Sequence, residues 1–279
     1  VSARRQALLL LAPAALTLLV LFALPQALMF EASLGRRSAY GGIVHEWSLA
    51  NYVRALEPLY LGIFARSVGL AALTTALCLA LAWPVAWWIA FRVPQRHKSA
   101  LLVLLVLPFW TSFLVRMYAW IVLLRTEGVI NAALAGLGLP ALDLLYNDFA
   151  VLIGQVYGEL PFMALPLYAS MEKLDRRLLE AAADLGASPL RRLREVALPL
   201  TLPGIAAGGV LVFIPSLGAY LAPDLLGGAK GVYVGNLVQA QFAVARDAPF
   251  GAALSFVLAL LVLVAVAAAR RPLAAARAL

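Results

Sequence analysis

The chain has 279 residues, 64% of them hydrophobic and only 13% charged, with a mean hydropathy of +0.92. Soluble domains run at about 45–50% apolar and about 25% charged residues, so this composition excludes an ordinary soluble fold and places the chain in a bilayer. The net charge of +8 would suggest nucleic acid in a soluble protein; here the position of the basic residues along the chain decides its meaning.

Six runs with few or no charges follow one another, at residues 7–30, 67–91, 99–124, 149–171, 198–223 and 249–269. About 20 helical residues cross about 30 Å of hydrocarbon, and each run is long enough. They are continuously apolar instead of alternating with period two, which excludes a transmembrane β-barrel. The expectation is an all-α polytopic membrane protein, one domain over 1–279 with six transmembrane helices. The first run follows Arg4 and Arg5 as a secretory signal would. It is longer than the usual apolar core of about 7–15 residues and no clean cleavage site follows, so an uncleaved anchor is expected. Cys78, the single cysteine, lies inside the second run; it excludes a disulfide framework and a thiolate metal cluster and is read as inert packing. Residues 129–142 are apolar but too short to span, and are assigned to an outside or interfacial segment.

Cytoplasmic segments retain Lys and Arg. With both termini inside, the inner segments hold 14 of the 22 basic residues and 5 of the 14 acidic ones, a net +9 that leaves −1 for the rest. Arg92, Arg96 and Lys98 fall in one inner turn, six further basic residues in the 172–199 loop, and Arg4, Arg5, Arg270, Arg271 and Arg277 at the ends. This asymmetry accounts for the basic excess without nucleic acid. Trp47, Trp87, Trp88, Trp110 and Trp120 lie near run ends, where interfacial aromatic anchors are expected.

Catalytic signatures are missing. Gly227-Gly228-Ala229-Lys230-Gly231 lacks a hydroxyl residue after the lysine and a preceding strand, so it is no phosphate-binding loop. His45-Glu46 has no second histidine at Leu49, and Ser216 follows Ile214-Pro215 instead of standing in a G-x-S-x-G elbow. A transport subunit, a channel or an assembly factor is left, with no enzyme activity, cofactor or metal of its own.

The 172–199 loop is the most informative segment. Leu174, Leu178, Leu179 and Ala182 have helical spacing, Gly186 supplies a turn, and Ser188-Pro189 reads as an N-cap followed by proline at the first helical position. A helix-turn-helix projecting into the cytoplasm is expected, with a second helix to about Ala197 and Leu198-Pro199 returning the chain to the membrane. Ala181, Ala182 and Ala183 leave one face nearly bare, which suits a groove on another protein, and Glu180 offers a charge to a basic partner.

Glu180-Ala181-Ala182, Gly186 six residues after the glutamate, and Leu198-Pro199 ending nineteen after it resemble the EAA loop of ABC-importer permeases, with Val196 where isoleucine is usual. The resemblance extends to the B-type permease subunits of spermidine/putrescine importers through Asn51-Tyr52, Pro108-Phe109-Trp110-Thr111, Arg116 with Tyr118, Leu160-Pro161-Phe162-Met163, Glu172-Lys173-Leu174-Asp175, Asp224-Leu225 and Arg246-Asp247 with Pro249-Phe250-Gly251. It implies a type I importer permease in a bacterial inner membrane, paired with a second related permease, two copies of an ATP-binding subunit and an external binding protein that delivers a polyamine. It implies that Glu180, Ala181, Ala182, Gly186 and Pro199 couple ATP hydrolysis on the partner to transport. Another small cationic or amino-acid-like substrate is the alternative within the family, and a stand-alone channel or secondary transporter the alternative outside it.

A polycation needs carboxylates and π faces along its path. In the fifth run Pro215 is expected to bend or break the helix, and Tyr220 and Asp224, four apart, would share a face if helix continues that far. Asp224 equally suits a structural cap. Arg116 and Glu159 are expected to pair within the membrane, because counting about 1.5 Å per residue along straight helices puts them at similar depth; a substrate contact for Glu159 is the rival. Gly204 and Gly208 form a small-x-x-x-small pair for a close crossing, within the chain or with the partner permease.

Overall fold

The computed structural model describes residues 3–38 and 42–276; Arg277, assigned above to the inner side, lies outside the described residues. The chain clusters into two units, one of Val1–Leu61 with Leu237–Leu260 and one of Gly62–Asn236 with Leu261–Leu279.

In the first unit, α1 (Ala3–Leu18) runs through a π turn at Leu19–Ala23 into α2 (Leu24–Ser33). The widened turn falls just ahead of Pro25, which has no N–H to continue a regular ladder. Within this helix Leu10–Ser33 is long and apolar enough to cross a membrane, and none of its most apolar window is buried. A two-stranded antiparallel ribbon follows, β1 (Arg36–Arg37) against β2 (Ile43–Val44). Asn51, on α3 (Ala50–Ala55), holds the chain between α2 and β1: its Nδ2 donates to the carbonyls of Ser33 at 2.9 Å and Gly35 at 2.8 Å. A Cβ on Gly35 would stand 2.7 Å from Ile43 Cγ2, so only glycine fits there. Asp247 caps the start of α14 (Ala248–Ala276), accepting from Phe250 N at 3.3 Å, and takes a 2.8 Å hydrogen bond from Arg54. The Arg54 guanidinium lies 3.9 Å from the centre of the Phe250 ring.

The second unit contains most of α4 (Pro58–Phe91), then α5 (Gln95–Val106), α6 (Phe113–Leu124), α7 (Val129–Gly136), α8 (Asp148–Glu172), α9 (Arg176–Asp184), α10 (Pro189–Arg192), α11 (Leu198–Gly218), α12 (Leu221–Leu226) and the start of α13 (Val234–Ala243). Glycines set its closest packing. Cβ atoms on Gly204 and Gly208 of α11 would stand 2.5 Å from Ser170 Cβ and 2.7 Å from Met163 Sδ of α8, so this small-residue pair serves a crossing within the chain. Gly154 and Gly158 make a second such face on α8, against Met117 and Phe113 of α6, with 3.3 Å and 3.1 Å to the nearest side-chain atoms there.

One expectation about helix continuity is corrected. The third run is not straight: after α5 a 3-10 turn at Leu107–Trp110 and an extended Ser112 turn the chain, and the arms Gln95–Trp110 and Phe113–Gly136 meet at 85°. Pro108 cannot donate a backbone hydrogen bond inside that turn. Counting the bent pair as one span gives six candidates among the described residues, and five without it. Pro215, by contrast, does not end α11, which continues to Gly218 and breaks at the extended Ala219. Pro161, Pro166 and Pro203 are likewise absorbed into continuous helix.

Candidate functional site

The 172–199 hairpin forms as its local signals dictate. Asp175 caps α9 by accepting from Arg177 N at 3.0 Å, and Ser188 caps α10 by accepting from Arg191 N at 3.3 Å. Between them Gly186 has φ +81°, with its N–H on Ala183 O (2.9 Å) and the Ala187 N–H on Ala182 O (3.0 Å), the paired bonds of a Schellman ending. Glu180, Ala181 and Ala182 lie on α9, and Pro199 in the first turn of α11. The chain does not break at Leu198-Pro199: a π turn at Leu193–Ala197 absorbs the missing N–H, and Pro189–Gly218 is one helical stretch. Leu185 and Leu190, on either side of the turn, are 89% and 72% exposed, an apolar tip that the alanine face alone did not indicate.

A second cluster anchors this hairpin to the end of α4. Lys98 Nζ donates at 3.0 Å to both carboxylate oxygens of Glu172 and to Ala90 O, which also accepts from Arg176 at 3.1 Å. Two cations thus satisfy a carbonyl of the last turn of α4, where the helix dipole favours positive charge. Lys98, counted above among the charges of a loop, is 7% exposed.

At the other break, Tyr220 precedes α12 and Asp224 lies one turn on, its N–H on Tyr220 O at 2.9 Å. Both side chains are exposed, and the Asp224 carboxylate makes no hydrogen bond or ion pair among the described residues, so nothing here shows it capping a helix. The segment after α12 is clamped from behind: Tyr233 donates to Asp148 at 2.8 Å, Arg66 pairs with the same carboxylate and stacks 5.0 Å from the Tyr233 ring, and Ser67 Oγ accepts from Val234 N at 2.8 Å. Burial and the adjacent Asp148 carboxylate push the Tyr233 hydroxyl up to about 12, so it stays a donor at any working pH.

Arg116 and Glu159, expected to pair, make no direct hydrogen bond or ion pair among the described residues, although the two charges lie within electrostatic reach of one another. Arg116 is 8% exposed, its Nε and Nη1 have no hydrogen-bond partner, and its guanidinium lies 4.7, 5.3 and 5.9 Å from the ring centres of Phe109, Phe113 and Tyr157. Glu159 Oε2 is buried and also without a partner. No hydrogen bond or ion pair joins Glu159 to Tyr220 or Asp224.

Apolar spanning helices, small-residue crossings and an exposed helix-turn-helix between two of the spans define a multi-span membrane protein. The pattern of the family of binding-protein-dependent transport system inner membrane components matches residues 82–271, and the chain belongs to that family. It is 43% identical over 243 residues to the spermidine/putrescine transport system permease protein PotB of Escherichia coli K12, covering 86% of this chain and 88% of that one. The Haemophilus influenzae PotB is 40% identical over 246 residues, with 87% and 86% covered. In fold, the chain matches a chain from a bacterial ABC transporter involved in import of the acidic polysaccharide alginate, with TM-score 0.79, 17% identity, and 99% and 97% of the two chains covered. A second structure of a bacterial alginate transporter, in complex with an alginate-bound periplasmic protein, gives 0.76 at 18% identity over 95% and 93%. The all-α importer-permease architecture expected from the sequence is the one observed.

Proposed function

We propose that this chain is a transmembrane permease subunit of an ATP-driven importer of polyamines, spermidine or putrescine. The observation that carries this reading is the 43% identity to a spermidine/putrescine permease along almost the whole of both chains. The permease works with a second related permease, two copies of an ATP-binding subunit and an external binding protein. Its termini and the 172–199 hairpin lie on the cytoplasmic side of a bacterial inner membrane, a reading supported by the net +9 that this orientation puts inside. The hairpin offers Leu185, Leu190 and the alanine face of α9 to the ATPase, with Glu180 and Gly186 fixing its charge and shape. The exposed apolar side chains of Leu10–Ser33 leave surface for lipid and the second permease.

On the opposite side, Tyr220 and the free Asp224 carboxylate meet the incoming ammonium groups, with Glu159 deeper in the span as a further acceptor. The test is ATP hydrolysis by the reconstituted complex, with its binding protein, across putrescine, spermidine and non-amine solutes. Stimulation confined to the amines is expected. Equal stimulation by a non-amine solute, or none by either polyamine, would remove the assignment.

A further inference from the structure

Next to the last turn of α4, a cavity of ≈ 360 Å³ is lined by Trp87, Phe91, Arg92, Arg176, Glu180 and Arg192, among others. Three arginines share this space with one glutamate. Arg176 is fixed by its bond to Ala90 O and by the Phe91 ring, 5.4 Å from its guanidinium. The other charges are uncommitted: the side chains of Arg92 and Glu180 make no hydrogen bond or ion pair among the described residues, and Arg192 Nε is buried without a partner.

A guanidinium nitrogen shut away from water is costly until it meets an acceptor, and the acceptors that fit the arginine fork are carboxylate and phosphate oxygens. The cavity is too small for a folded protein segment and roomy enough for a phosphate-bearing head group. Its aromatic wall belongs to the last turn of an apolar spanning helix, the level at which Trp rings meet lipid head groups. Basic pockets at that level on the cytoplasmic side suit anionic lipid.

We propose that this pocket binds the phosphate of an anionic phospholipid of the cytoplasmic leaflet, held by Arg92 and Arg192 against Arg176. The lipid then sits between α4 and the coupling hairpin, and the anionic content of the leaflet sets how well ATP hydrolysis is coupled. The inference rests on the orientation proposed above.

The whole complex, with its ATPase and second permease, is placed in nanodiscs of phosphatidylcholine with or without phosphatidylglycerol. Lipid retained after detergent washing is quantified by mass spectrometry and ATP hydrolysis is followed alongside. The wild-type complex is expected to retain phosphatidylglycerol selectively. Arg92→Gln with Arg192→Gln should lower that retention about fivefold for each arginine removed. Arg92→Lys with Arg192→Lys should keep most of it, and Arg191→Gln, whose guanidinium pairs with Glu195 at 2.9 Å outside the pocket, should keep all of it. Equal retention of both lipids, no change in the double Gln variant, or the same loss in Arg191→Gln overturns the proposal. So does millimolar inorganic phosphate reproducing the hydrolysis response in phosphatidylcholine alone, which would assign the pocket to a free anion, or retention only once the ATPase is removed, which would assign it to the ATPase. Spermidine-stimulated hydrolysis in the same nanodiscs reports separately on the polyamine reading: its absence with lipid selectivity intact removes that reading and leaves the pocket.

Discussion

Arg116 carries its charge into an apolar span and meets three aromatic rings there in place of an acid. A desolvated arginine over aromatic faces gains about 2 kcal/mol, but two of its nitrogens are buried without an acceptor, so Arg116→Gln should lower the unfolding free energy in mixed micelles by less than that. Without a direct ion pair between them, Arg116→Gln and Glu159→Gln should couple by less than about 1 kcal/mol in a double-mutant cycle, what is left of an attraction between charges that do not touch. A coupling above about 1 kcal/mol would show that the two pair in the state that unfolds. Asp224→Asn removes a free, exposed charge at constant size, so uptake at limiting polyamine should fall severalfold with assembly and basal ATP hydrolysis unchanged; normal uptake would remove Asp224 from the path. Charged residues in apolar runs stand out in a sequence, and Arg116 and Glu159 were singled out for that reason, with Asp224 just past the end of one. Their partners were not. Matching depths along straight helices assigned Arg116 to Glu159, and the 85° bend that follows Trp110 removes the premise of that count.

Among the elements, the hairpin was legible because each of its signals acts within a few residues: a capping aspartate, a glycine, a serine before a proline. Gly186 at φ +81° sits where a β-branched side chain costs about 1–2 kcal/mol, with open space around it. Gly186→Val should therefore misdirect α9 without disturbing any span, and the purified permease should lose its ATPase at normal membrane abundance. Glu180→Lys should weaken the same retention more than Glu180→Gln does. Retention and uptake at wild-type levels in both Gly186→Val and Glu180→Lys would reduce the hairpin to a solvated loop. Tyr233→Phe tests the clamp behind α12. Losing a hydrogen bond to a carboxylate of about 1.5–3 kcal/mol should speed amide exchange over residues 227–236 and leave the hairpin's exchange as it was. Breaks in the apolar helices were harder to read. Proline marks a missing donor, but neighbouring helices and π turns absorb it at Pro161, Pro199 and Pro203, whereas the chain turns at Thr111-Ser112 and at Ala219, neither of them proline.

For the molecule as a whole, composition alone placed the chain in a bilayer, and charge asymmetry alone proposes its orientation. Neither signal touches substrate, which enters through similarity to polyamine permeases and through free carboxylates. Orientation is open to cysteine labelling in intact cells after Cys78→Ala. Lys98 is buried against Glu172 and would be silent from either side, so the informative positions are the exposed Arg96 and Arg194. Both are expected to resist an impermeant reagent while Asp143→Cys reacts; ready labelling at Arg96→Cys or Arg194→Cys would invert the topology. The central claim is that the chain forms part of a path for polyamines driven by ATP, and accumulation of labelled spermidine inside proteoliposomes tests it most directly. The complex is reconstituted with its ATPase and binding protein, and ATP is supplied on the side of the ATPase. Accumulation that requires ATP, is competed by putrescine and falls severalfold in Asp224→Asn is the predicted result. A complex that hydrolyses ATP normally yet accumulates no spermidine, with all subunits present, would contradict it.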